Sequence, residues 1–334
     1  MEIKSLQYKY ATGRLTLPFV YFIFSFIWVI TAIMTPNTPP ILSLHSPLWN
    51  ILPVELTPWW LNQSLAYLLF MLVSYALILL NNRFTIITQR ATIQSSLFLL
   101  TIAALPFIQV LSPGLFATLL FTVHTFILFN CYRDENSMSF QFYGGVFFSL
   151  IFLLIPKAIF LLPLILFTKI VFNNLTIRTI LASLLGFCLP LWFLLGHAVW
   201  HEQVDLFLSP FVNLTEWSFI WSMYPSLSLS TLAAYVFILI CTGLSITYTT
   251  FARAKVRVRT RQILNHFLRI ALGIAVLITL EPTLFKELAT IWIVCISFTY
   301  GHALVSIQTK LTNLIFISAM LLLITLFVFN VWML

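Results

Sequence analysis

The sequence predicts an all-α fold, a polytopic transmembrane helical bundle with about eleven spans, in a range of about 10 to 12. The composition is the first reason: 61% of the 334 residues are hydrophobic and 8% are charged, and the mean hydropathy is +1.03. A water-soluble domain needs a far more polar surface. In lipid the backbone must satisfy its own hydrogen bonds, which leaves helices or closed barrels. The apolar runs are continuous rather than alternating, so helices are expected.

A basic stretch at residues 251–261 sets the predicted orientation. It holds five cations, and no acidic residue occurs between Glu216 and Glu281; the cations are Arg253, Lys255, Arg257, Arg259 and Arg261. Short loops rich in Lys and Arg stay on the cytoplasmic side of a membrane. We therefore expect a cytoplasmic loop at about 250–262 and a cytoplasmic N-terminus. These cations would contact anionic lipid of the inner leaflet, with a specific phosphate or protein partner as the alternative.

The predicted spans follow in order from this orientation: 17–34, 61–80, 95–111, 115–129, 139–155, 158–172, 177–195, 230–249, 263–280, 288–307 and 311–332. The first is too long for a signal peptide and lacks a small-residue cleavage site, so we expect a retained helix. Residues 139–172 could form one kinked helix or a hairpin broken at Pro156. One span would place the basic stretch outside, and the hairpin is therefore favoured.

The chain is expected to form a single integral-membrane domain, residues 1–334, with two outer loops at about 35–60 and 196–229. The first loop is rich in proline, and both contain tryptophans, which prefer the membrane interface. The four cysteines have no metal-type spacing and imply no disulfide framework. The net charge of +8 lies at the ends of apolar runs, so membrane topology explains it and no nucleic-acid partner is expected.

Two residues of the predicted outer face are candidates for catalysis. Glu55 lies in an apolar, proline-rich loop, where it could act as a general base; a solvated loop carboxylate is the alternative. Lys157 lies at the tip of the predicted hairpin, where it could hold the phosphate of a lipid-linked substrate. The alternative is that its ammonium simply reaches the lipid headgroups.

The second outer loop contains a candidate metal site. His197, His201 and Asp205 have a spacing of four residues, which places them on one face if the segment is helical. Two imidazoles and a carboxylate are suitable ligands for one metal ion. The alternative is an interfacial helix whose polar face meets water. The sequence indicates no particular cofactor.

Two histidines lie inside predicted spans. His124 falls in the fourth span and His302 in the tenth. Lipid cannot satisfy polar groups at that depth, so both are expected to face protein or a cavity. They could relay protons or contact a substrate, or they could be neutral side chains hydrogen-bonded to a neighbouring helix.

Two stretches carry a resemblance to a known family. They are 81–106, which begins Asn-Asn-Arg-Phe, and 174–190, which begins Asn-Leu-Thr-Ile-Arg. With the basic stretch before the ninth span, they resemble an uncharacterised family of multi-pass inner-membrane proteins from Bacteroidetes-type bacteria. This resemblance implies a location in the bacterial inner (cytoplasmic) membrane and a helix count.

The predicted hairpin is similar in style to one in multi-pass glycosyltransferases that use polyprenyl-phosphate sugars. Its Gly144-Gly145 pair and the later sequence Ile-Pro-Lys-Ala at 155–158 carry this similarity. Those enzymes usually present several acidic residues in the first outer loop, where Glu55 stands alone in this chain.

Together these observations favour a multi-pass protein of cell-envelope biogenesis that handles a lipid-linked or membrane substrate at the outer face. It would be glycosyltransferase-like if it is an enzyme, which the sequence leaves open. One alternative is a non-catalytic scaffold or accessory subunit that binds another membrane protein. Another is a small-solute transporter, which would show a polar cavity lined by His124 or His302.

Overall fold

The computed structural model describes residues 6–13, 15–34, 46–51, 58–87, 92–134, 136–215, 217, 227–251 and 256–332. Within these ranges the chain is all-α, as predicted, and contains no strand. Its helices are α1 Leu6–Thr12, α2 Thr16–Met34, α3 Pro47–Asn50, α4 Trp59–Phe84, α5 Ile93–Ala103, α6 Pro113–Asn130, α7 Met138–Leu154, α8 Leu162–Val171, α9 Ile177–Trp200, α10 Val204–Asn213, α11 Leu229–Phe251, α12 Val258–Leu280, α13 Phe285–Ser306 and α14 Lys310–Trp332.

Eight of the described helices are long and apolar enough to cross a membrane: α2, α4, α6, α9, α11, α12, α13 and α14. Helices α5 and α7 are apolar but shorter. A helix rises 1.5 Å per residue, so about 20 residues cross the hydrocarbon core. The fold therefore fits the predicted multi-pass class, with eight helices of full spanning length.

Helix α13 forms the centre of the bundle. It packs against α5, α6, α11 and α12, and 89% of its apolar window is buried. Trp292 is fully buried and its indole N–H donates to the Thr242 hydroxyl of α11 at 3.1 Å. Phe298 stacks on Phe267 of α12 with ring centroids 4.7 Å apart. A helix that is hydrophobic on all sides belongs inside a bundle, and the core surrounds α13.

Contacts between residues far apart in the sequence bring several helix ends together at one end of the bundle. We call this the basic end, because Arg259 lies there. The Gln7 side-chain amide donates to the Leu304 carbonyl at 2.8 Å, which joins α1 to the end of α13. The Arg259 guanidinium at the start of α12 lies 5.4 Å from the ring centroid of Tyr132, just after α6. The opposite end has its own contacts: the Asn330 side chain of α14 donates to the Ala104 carbonyl at 2.8 Å.

Prolines divide two apolar segments, and only the first of these two breaks was not predicted. The span expected at 95–111 is a shorter helix, α5, followed by a 3₁₀ turn at Pro106–Ile108, which corrects the prediction of one continuous helix. Proline lacks a backbone N–H and disfavours helical geometry in the residue before it. The same effect divides 139–172 into α7, a 3₁₀ turn at Pro156–Leu161, and α8. Ser137 and Asn174 bond to each other, so the two arms return to the basic end and the predicted hairpin is present.

The region expected as a second outer loop contains more helix than predicted. Helix α9 continues to Trp200, and α10 occupies Val204–Asn213. Helix α10 packs on α9 at the opposite end, with Phe211 against Phe152 of α7 at a centroid distance of 5.8 Å. The small helix α1 was also not predicted.

Two glycines let α7 and α9 touch backbone to backbone. A methyl group at Gly145 would lie 2.1 Å from the Ser183 carbonyl oxygen, and one at Gly186 would lie 2.0 Å from the Phe142 carbonyl oxygen. No side chain fits at either position without moving a helix. Small residues allow this close approach between helices in membranes, and here they fix α9 against α7.

Candidate functional site

A cavity of about 240 Å³ lies between α6, α7, α8 and α9. We call it the α8–α9 cleft, because those two helices form its opposing walls. Most of its lining is apolar: Gly144, Gly145 and Phe148 from α7, Ile159 from the 3₁₀ turn, Leu162, Ile165 and Leu166 from α8, and Leu175, Ile180, Leu184 and Phe187 from α9 and the residues before it. The cavity beside Tyr300 is much smaller, at about 30 Å³.

The cleft reaches the outer surface of the bundle. Its lining includes side chains that are themselves exposed, such as Leu166 of α8 and Leu184 of α9, at 38% and 55%. The neighbouring surface of α9 is also apolar and exposed, including Leu181 and Leu185. On a membrane-spanning helix this surface faces hydrocarbon. The cleft therefore opens sideways, where a lipid chain could enter.

Lys169 places a positive charge in the cleft. It lies in the last turn of α8 and is buried, at 7% exposure. Its ammonium donates a hydrogen bond of 2.8 Å to the Ser183 hydroxyl of α9. Among the described residues no carboxylate lies within ion-pair distance of it. An ammonium has three N–H donors, and this contact uses one of them.

A short chain of hydrogen bonds positions Ser183. Its hydroxyl donates to the Gln141 side-chain oxygen of α7 at 3.2 Å. The Gln141 amide nitrogen is buried and has no partner among the described residues. The hydrogen bonds from Lys169 to Ser183 and from Ser183 to Gln141 thus connect three helices. They aim the Ser183 lone pairs at the ammonium, since the hydroxyl hydrogen is already used.

His124 of α6 also lines the cleft. Its ring nitrogen Nδ1 lies 3.0 Å from the Gly144 carbonyl oxygen of α7. A carbonyl can only accept, so Nδ1 carries the proton and Nε2 of the neutral ring is an acceptor. Nε2 is buried and has no partner among the described residues.

More basic groups lie behind α8. The Arg269 guanidinium of α12 donates to the Thr168 hydroxyl at 3.1 Å and lies 4.9 Å from the ring centroid of Phe167. The same hydroxyl is 2.9 Å from Nδ1 of His266. Arg269, like Lys169, has no carboxylate within ion-pair distance in the described part of the chain. In the part of the chain that the structure describes, the bundle around α8 therefore carries positive charge with no carboxylate in ion-pair distance of Lys169 or Arg269.

Lys157, the predicted phosphate contact, lies at the opposite end from Lys169. Its ammonium forms an ion pair with Glu281, just after α12, and lies 5.3 Å from the centroid of the Trp217 ring. Both charged side chains are about 10% exposed. The charge of Lys157 is thus balanced within the protein, and a role in holding phosphate stays a prediction.

The predicted metal ligands lie across a break between two helices. The rings of His197 and His201 are 4.4 Å apart, centroid to centroid, but α9 ends at Trp200 and Glu202 adopts a positive φ of 56°. Asp205 follows in α10 and is exposed, so one helical face does not carry all three. The described residues contain no group of three or more metal-type side chains. A metal site formed by His197, His201 and Asp205 stays a prediction.

The other predicted site residues are dispersed. Glu55, Arg253 and Lys255 lie outside the described residues. Arg257 and Arg259 are exposed at the basic end and Arg261 is half-buried there. His302 is buried and shares with Arg261 a cavity of about 10 Å³.

Of the histidines expected to line a cavity, His124 faces the largest of the cavities described above, but that cavity is mostly apolar.

Sequence reasoning missed Lys169, His266 and Arg269. A single cation near the end of an apolar run is typical of a helix flank, and Lys169 has that position in the sequence. The available signal was its position inside the span expected at 158–172, four residues before Asn173.

The eight apolar helices of spanning length define the class, a helical multi-pass membrane protein. Comparisons with protein-family models, curated proteins and solved structures found no match for this chain.

Proposed function

We propose that this protein binds an anionic membrane lipid, or the anionic part of a lipid-linked substrate, in the α8–α9 cleft. The observation that carries the proposal is Lys169, a buried ammonium in an apolar cleft, with no carboxylate within ion-pair distance among the described residues. A buried charge without a counter-ion costs several kcal/mol, and charged groups inside membrane proteins mark functional sites. A ligand with a phosphate and a hydrocarbon chain satisfies both the charge and the apolar walls.

The proposal includes the topology expected from the sequence: about eleven spans and a cytoplasmic N-terminus. The contacts at the basic end support it, because they bring together α1 and the ends of α6, α12 and α13, as an alternating path requires. Exposed Arg257 and Arg259 lie at that end. Lys169 then lies in the cytoplasmic half of the membrane, where anionic lipids are concentrated.

The proposal keeps the lipid-linked substrate expected from the sequence and places its contact in the cytoplasmic half rather than at the outer loops. A wider role in cell-envelope biogenesis, glycosyltransferase-like chemistry and an inner-membrane location stay predictions. The scaffold and transporter alternatives also stay predictions. The binding experiment below separates them from the proposal, because neither requires a lipid to bind at Lys169.

The test uses the full-length protein in nanodiscs of phosphatidylcholine, with 1-oleoyl lysophosphatidic acid as the probe and native mass spectrometry to count bound copies. Lys169→Met removes the charge and keeps most of the volume. Hydrogen bonds to charged groups contribute about 1.5–3 kcal/mol, so affinity should fall by roughly 10- to 150-fold. Lys169→Arg should retain more binding than Lys169→Met.

The matched control is Lys310→Met, which removes an exposed lysine at the same end of the bundle and should leave affinity unchanged. Inorganic phosphate at millimolar concentration should not displace the probe, because it lacks the chain that the apolar walls bind. Equal binding by the Lys169→Met and wild-type proteins would contradict the proposed function.

The topology has a separate test. In a variant without native cysteines, a cysteine at Val256 should resist a membrane-impermeant thiol reagent added to intact cells. A cysteine at Lys286, exposed at the opposite end, should react. The reverse pattern would invert the proposed orientation.

A further inference from the structure

The α8–α9 cleft has a second polar group whose chemistry differs from that of Lys169. His124 presents a buried acceptor, Nε2, with no partner among the described residues. The ring lines the same cavity as Lys169. A fully ionised phosphate or a carboxylate cannot satisfy this nitrogen, because such groups only accept hydrogen bonds and a lone pair needs a donor.

The tautomer follows from the contact made by the other ring nitrogen. Nδ1 lies 3.0 Å from the Gly144 carbonyl oxygen, and carbonyl oxygens only accept hydrogen bonds. Helix α7 fixes that carbonyl, and α7 is fixed in turn by its contact with α9 at Gly145 and Gly186. The ring is therefore held with Nδ1 as donor and Nε2 as acceptor before any ligand arrives.

We infer that the ligand of the α8–α9 cleft carries a hydroxyl near its anionic group, and that His124 accepts a hydrogen bond from this hydroxyl while Lys169 binds the anion. This inference rests on the proposed function and names the chemical class of its ligand: an anionic amphiphile with a hydroxyl on the head group. A lysophospholipid or a lipid-linked sugar phosphate has this pattern. An alkyl phosphate without a hydroxyl does not.

The apolar surroundings explain why the hydroxyl would affect affinity. Phe148 packs against the His124 ring at a centroid distance of 5.8 Å, and Ile165 of the facing helix is buried. A buried polar group without a hydrogen-bond partner raises the free energy of the complex. A ligand that supplies the missing donor therefore binds more tightly than one that does not. The expected gain is roughly tenfold in affinity, that of one hydrogen bond in a buried site.

The experiment compares two probes that differ in a single oxygen: 1-oleoyl lysophosphatidic acid and its 2-deoxy analogue, which lacks the free hydroxyl. Both are titrated into the full-length protein in phosphatidylcholine nanodiscs. The wild-type protein should bind the hydroxyl-bearing probe about tenfold more tightly. His124→Phe should reduce this ratio to about one, because the acceptor that distinguishes the two probes is gone.

His124→Gln provides the rescue, because its amide can donate to the Gly144 carbonyl and accept from the ligand; it should restore part of the ratio. Equal affinity of the wild-type protein for the two probes would overturn the inference, and this measurement needs no variant to fold. An unchanged ratio in His124→Phe would also overturn it. If both probes bind equally but Lys169→Met weakens both, the proposed function survives; if Lys169→Met weakens neither, the proposed function fails as well.

Discussion

Replacing Gly186 by alanine is expected to destabilise the protein, because the added methyl group has no room. It would lie 2.0 Å from the Phe142 carbonyl oxygen, whereas ordinary contact begins near 3.4 Å. Helices α7 and α9 would have to separate by roughly 1.4 Å, and even a gap of about 0.5–1 Å loses a quarter to a half of a dispersion contact. Overpacking of this kind costs about 1–3 kcal/mol.

The matched control is Gly196→Ala in the same helix, where a methyl group would meet nothing within 4 Å. Both substitutions change helix propensity by a similar amount, so the difference in unfolding free energy between them isolates the clash. The measurement is denaturant unfolding of the full chain in detergent micelles, followed by circular dichroism. Equal stability of the two variants would refute the close α7–α9 packing on which the cleft depends.

Two further changes test contacts at the two ends of the bundle. Lys157→Met should lower the free energy of unfolding by about 3–5 kcal/mol, because it leaves Glu281 buried and unpaired. Adding Glu281→Gln to this variant should recover most of the loss. If the effects of the two substitutions on the free energy of unfolding are additive, the ion pair does not contribute to stability. Asn174→Ala should cost about 1–3 kcal/mol, because its amide donates to the Cys131 carbonyl at 2.6 Å. A loss below about 0.5 kcal/mol, the usual effect of a surface substitution, would contradict this bond.

Most of the helical architecture follows from apolar run lengths alone. The predicted span at 177–195 begins at the residue where α9 begins, and Thr176 caps that helix by accepting from the Thr179 N–H. The predicted span at 311–332 coincides with α14 to within one residue. In lipid, the backbone of a long apolar run must satisfy its own hydrogen bonds, so the run forms a helix.

Shorter features were harder to predict. The run before Leu111 looks continuous in composition, but Pro106 divides it, and α14 packs against the turn at Pro106–Ile108 that results. Helix α10 lies in a mixed sequence whose helicity depends on packing against α9. Such segments gain their stability from tertiary contacts rather than from local propensity.

The candidate site was the least predictable part. Lys169 is unusual because it is buried and bonds to Ser183, which comes 14 residues later in a different helix. Hydropathy patterns report where a chain crosses lipid, but they do not report which helices become neighbours. His124 was identified because a histidine within an apolar run is rare by itself.

The central position of α13 has a consequence for how the protein is made. Ribosomes deliver a chain from its N-terminus, so α13 emerges only after the five helices that pack around it, which are α1, α5, α6, α11 and α12. Until it arrives, the inward surfaces of the earlier helices have no native partner. Packing of these five helices around α13 must therefore follow the synthesis of α13, and a chain cut before Phe285 would lack the helix that they all contact.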